Sequence, residues 1–80
     1  MRGAQVVTFA DATICIDGER FYGQLTFWKK SSEYFWSFVA EYYQNRELTE
    51  VKLNSSAHAT QILAVKNAEN LGFQLNEDEA

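Results

Sequence analysis

The dipeptide Asp17-Gly18 lies between two alternating runs, and it constrains this chain more than any other feature. Asp-Gly suits the two positive φ angles of a type I′ turn. A two-residue loop there pairs Ile16 with Glu19, Ile14 with Phe21, Ala12 with Gly23, Ala10 with Leu25, and Thr8 with Phe27. One face of a hairpin over residues 4–28 then collects Val6, Thr8, Ala10, Ala12, Ile14 and Ile16 with Phe21, Gly23, Leu25 and Phe27. A slip of one residue turns this whole apolar set outward, so the register is strongly specified. Ala12 opposite Gly23 leaves a thin place, expected as a bulge, a bend or the seat of a helix. The other face is mixed. It carries Val7, Phe9, Asp11, Thr13 and Cys15 on the first strand, and Arg20, Tyr22, Gln24, Thr26 and Trp28 on the second.

Lys29 and Lys30 lead into residues 31–46, an aromatic-rich stretch holding Tyr34, Phe35, Trp36, Phe38, Tyr42 and Tyr43. Wound at 100° per residue, Phe35, Phe38, Val39 and Tyr42 fall on one stripe, which predicts a core-facing helix. Ser31, Ser32 and Glu33 suit its capped, positive end. Trp36 and Tyr43 lie on one flank of that helix. Residues 49–53 alternate as a strand, and Asn54, Ser55 and Ser56 read as a turn and cap. A second helix is expected over 57–71, with Gly72 in the left-handed position after its end. Its face of Ala57, Ala64, Ala68 and Leu71 allows close packing, and Ile62 lies opposite. Phe73 and Leu75 predict a short last strand.

The expected order is β-β-α-β-α-β. The expected fold class is α+β, a small two-layer sandwich with an N-terminal hairpin and two helices packed on one sheet face. Residues 1–75 make a single domain, as 80 residues allow. Residues 76–80 make an acidic, disordered tail. It holds Glu77, Asp78 and Glu79 of a formal net charge of −4, so the body is nearly neutral.

Cys15 is the only cysteine, so no internal disulfide forms. That usage, with no secretory signal and no apolar run of membrane length, points to the cytoplasm. Cys15 faces Arg20 across the hairpin, the one hint of thiolate activation, but a small strand residue explains it. His58, the only histidine, is placed in the first turn of the second helix, where serines act as caps. One Cys and one His do not make a structural zinc site, and the four glycines are isolated. No catalytic residue, metal ligand or cofactor is assigned.

A surplus of aromatic surface remains. Phe9, Tyr22 and Trp28 of the hairpin, with Trp36 and Tyr43 of the aromatic stretch, are the expected contact residues of a protein interface. A homodimer or another protein partner is the expected use, and a homodimer needs only one self-complementary patch. The alternative is single-stranded nucleic acid, with Tyr22 and Trp28 stacking bases while Arg20, Lys29 and Lys30 meet phosphates. Seven Lys and Arg against eleven Asp and Glu disfavour it.

Overall fold

The computed structural model describes residues 3–76. It is an antiparallel sheet with a helix on one face. In chain order the elements are β1 (Gln5–Ile16), β2 (Glu19–Lys30), β3 (Glu33–Gln44), β4 (Glu47–Asn54), α1 (Gln61–Asn70) and β5 (Gln74–Asn76). The sheet order is β4-β3-β2-β1-β5. Four strands form a meander. The chain then crosses the sheet through α1 and adds β5 beside β1. Glu77 to Ala80, the greater part of the expected acidic tail, lie outside the described residues, and Asn76 is the last residue of β5.

The hairpin register holds from Thr8–Phe27 to Ile16–Glu19. Asp17 and Gly18 have φ angles of 53° and 83°, as a type I′ turn requires. Val7 is an extra residue between the pairs Val6–Trp28 and Thr8–Phe27. This bulge moves Val6 off the expected apolar face to the side of Trp28.

The sandwich with two helices is not the fold. Residues 31–46, expected as an aromatic helix, form β3 and the turns on either side of it. The stretch satisfies two periods at once. Tyr34, Trp36, Phe38, Ala40 and Tyr42 also alternate, and aromatic residues favour a strand. Pairing with β2 and β4 gives β3 a hydrogen-bonding neighbour on both sides, which decides between them. Ser31-Ser32 is a hairpin turn, not a cap. Ser31 alone has a positive φ, 57°, the pattern of a type II′ turn. Asn45-Arg46, at 53° and 70°, closes the next hairpin as type I′.

The second expected helix is shorter, and it begins at Gln61. Ser55 does not cap it. Its N–H donates to the Trp36 carbonyl and its hydroxyl accepts from the Trp36 N–H, both at 2.9 Å, prolonging the β3 edge. His58 then exchanges two backbone hydrogen bonds with Tyr34, so it lies on a bridge rather than in a helical turn. Thr60 is the N-cap and accepts from the Leu63 N–H at 3.2 Å. Gly72, at φ 110°, takes the left-handed position. Phe73 N–H donates to the Ala68 carbonyl and Gly72 N–H to that of Glu69, a Schellman closure.

The core lies between α1 and the sheet. Ala64 and Ala68 are fully buried and let α1 approach β2 and β3 closely. Ala57 and Leu71, expected on that face, are exposed. Leu25 and Phe38 fill the centre, and Phe73 packs edge-on against Trp36 with centroids 5.0 Å apart. The thin place is a row of three small residues, Ala12, Gly23 and Ala40. A Cβ on Gly23 would collide with the Val39 carbonyl oxygen, so β2 and β3 approach there as only glycine permits.

Candidate functional site

Strand pairs place side chains on alternate faces, and among the described residues only one face is covered. The face away from α1 is open. Along β1 it carries Val6, Phe9, Asp11, Thr13 and Cys15. β2 adds Arg20, Tyr22, Gln24, Thr26, Trp28 and Lys30. β3 adds Glu33, Phe35, Ser37, Val39, Glu41 and Tyr43, and β4 adds Leu48, Glu50, Lys52 and Asn54.

Apolar groups gather at both ends of this face. At one end Val6, Phe9, Trp28 and Phe35 are neighbours. Phe9 is 60% exposed. Trp28 is half-buried, and its indole N–H donates to the Ser37 hydroxyl at 2.9 Å, which draws the ring over the β2–β3 seam. A groove of about 270 Å³ runs beside it toward Lys52 and Asn54. At the other end lie Tyr22, 60% exposed, Tyr43, 75% exposed, and Leu48. The Tyr22 hydroxyl donates to Asp11 Oδ2 at 3.3 Å. Between the two ends runs a polar belt.

Four of the five expected contact residues, Phe9, Tyr22, Trp28 and Tyr43, therefore share the open face. Trp36 does not. It is 2% exposed and its indole N–H donates to Asn67 Oδ1 at 2.9 Å, so it holds α1 to the sheet. A helix puts Trp36 beside Tyr43 on one flank, but a strand puts odd and even positions on opposite faces. Sequence reasoning missed Val6, Phe35 and Leu48. Alternation within β3 and the pair Tyr43–Leu48 were the signals for two of them.

The residues proposed to meet nucleic acid are dispersed. Lys29 pairs with Tyr34 on the helix side, its Nζ 5.7 Å from that ring, whereas Lys30 is on the open side. Arg20 and Trp28 share the open face at opposite ends of β2, eight residues or about 26 Å apart. The open face also holds Asp11, Glu33, Glu41 and Glu50 against Arg20, Lys30 and Lys52, so among the described residues no basic track forms on it.

The reactive side chains are equally separate. Cys15 is an exposed free thiol beside Arg20. His58 belongs to the far edge, with Nε2 buried and without a hydrogen-bond partner. Nine residue steps, about 30 Å, and the width of the sheet separate their rows. Among the described residues, no group of three or more His, Cys, Asp or Glu is placed to hold a metal ion. No helix of these residues is long and apolar enough to cross a membrane.

Comparison with known proteins returned no match, neither to a family model nor to a curated protein or a solved structure.

Proposed function

We propose that the protein is a small, non-enzymatic interaction module that self-associates through the open face of its sheet. The observation that carries this reading is the contrast between the two faces. Helix α1 and Phe73 cover one, while the other leaves Phe9, Tyr22, Tyr43 and Leu48 more than half exposed. Aromatic surface of this kind is costly to leave in water and anchors protein contacts well.

The dimensions agree. β1, β2 and β3, of twelve residues each, are about 40 Å long and β4, of eight, about 26 Å. At about 4.8 Å per strand the face offers roughly 700 Å², near the ~800 Å² each partner buries in a standard interface. The β4 edge is less suited. Its Glu47, Glu50 and Lys52 oppose edge-to-edge pairing, as charged side chains on edge strands do. The separation of Cys15 from His58 supports binding over catalysis, because nucleophile and base must lie within hydrogen-bond reach.

Sedimentation velocity from about 1 to about 500 µM tests the reading, since association depends on concentration by mass action. A monomer–dimer transition in that range is the expected result. A monomer throughout would overturn the proposal.

A further inference from the structure

We infer that the second copy docks with its strands aligned, about a two-fold axis running along the strands over the β2–β3 seam, so that Asp11 of each copy meets Lys52 of the other. This rests on the self-association proposed above and adds its geometry.

The registers place Asp11, Gln24, Val39 and Lys52 in a single row across β1 to β4. Asp11 and Lys52 end that row, at equal distances from the seam. Rotation about the seam lays β1 over β4 and β2 over β3 of the other copy, and returns each row to itself. Asp11 then lies over Lys52, twice by symmetry. Lys30 and Glu33, which share the last row, exchange in the same way. Trp28 meets Phe35, so the apolar end closes on itself.

The other in-plane axis runs across the strands. It lays each strand on its own counterpart with the rows reversed. Arg20 then falls over Lys30, and Phe35 over Glu41. Like charges, and a Phe35 ring with no polar group to meet a carboxylate, oppose that arrangement. Along the strands the corresponding contact is Tyr22 over Glu41, where the ring carries a hydroxyl donor. Complementary charge sets register and orientation in protein contacts. The pattern of charge on this face therefore selects the axis along the strands.

A second feature agrees. Glu41 stands directly opposite Glu50 on the open face, a like-charge pair that destabilises an isolated sheet. Glu50 has Lys52 at 3.7 Å. Counted on from Gly23–Ala40, where the β2–β3 pairing ends, the chosen axis brings Arg20 of the other copy to the row of Tyr43, one row from Glu41, and supplies a cation there. Aligned sheets cross at about 30° and lie about 10 Å apart. That angle displaces the corners most and the centre least. Asp11 and Lys52 lie in a row beside the centre, and a lysine side chain spans much of the gap.

Charge exchange tests the arrangement. Asp11→Lys and Lys52→Asp, each confirmed as folded by circular dichroism, are expected to weaken self-association at least about tenfold, because two attractive contacts become repulsive. Mixed, they are expected to form a heterodimer near wild-type affinity, since both contacts are then attractive. Carbodiimide coupling of the wild type needs no variant. Asp11 and Lys52 of one chain are three strands, about 14 Å, apart, so an Asp11–Lys52 isopeptide bond forms only between chains. Finding that bond in the covalent dimer supports the arrangement. A dimer that ignores both charge reversals, or lacks that bond, overturns this geometry and leaves self-association standing. A monomeric wild type overturns both.

Discussion

Trp36 in β3 and Asn67 in α1 are joined by a 2.9 Å hydrogen bond from the indole N–H to the amide oxygen. Thirty-one residues separate them. The bond gives the one polar atom of a buried Trp its partner and sets the rotation of α1 over the sheet. Phe73 closes against the same ring, so the helix, its C-terminal turn and the sheet converge on Trp36.

Trp36→Phe is accordingly expected to destabilise the fold by about 2 kcal/mol, from the space left and the orphaned amide. Asn67→Leu removes the other partner. A double-mutant cycle in urea is expected to show a coupling of about 1 kcal/mol between the positions. Additive effects would show that the bond contributes nothing.

Gly23→Ala is expected to cost at least about 3 kcal/mol, beyond ordinary overpacking, because the clash is with backbone. The new Cβ meets the Val39 carbonyl and the Ala40 Cα and Cβ, none of which swings aside. For a domain of this size that lowers the Tm by at least about 12 °C. A drop of a few degrees would mean that the two strands separate more readily than their packing implies.

Arg46→Gly is expected to act in the opposite direction. Arg46 holds a φ of 70° in a turn whose second central position favours glycine. Relief of left-handed strain exceeds the added chain entropy, for a net gain of about 0.5–1 kcal/mol. Thermal unfolding at low concentration, where association adds nothing, measures it.

The open face predicts a separation of stability from association. Phe9→Ser and Tyr43→Ser remove rings that are mostly exposed, so each is expected to change monomer stability by no more than about 0.5 kcal/mol. Together they are expected to weaken self-association at least about tenfold, as loss of aromatic anchors does. Phe38→Ala, at a position with no exposure, is the contrast and is expected to cost about 3–5 kcal/mol of stability. Equal association of the double variant and the wild type would move the interface elsewhere.

The first hairpin was legible in its residues from Thr8 to Phe27, though not the bulge at Val7, because turn chemistry and period-two alternation agree there and a slip exposes every apolar group. The sequence by itself also determined the end of α1, where Gly72 meets a local backbone need. Both signals act within a few residues. The identity of 31–46 was different. Phe35, Phe38, Val39 and Tyr42 make a helical stripe, Trp36, Phe38 and Ala40 make a strand face, and Ser31-Ser32 serves as cap or turn. Only hydrogen bonding to β2 and β4, out of reach of local propensity, decided between them. The same decision sorted the candidate site. Phe9, Tyr22 and Trp28 were legible from the hairpin register. Trp36 went to the core and Tyr43 to the open face, because a strand separates odd from even positions that a helix would have grouped. Where a surface lies depends on what covers the other face, and here α1 made that choice from across the fold.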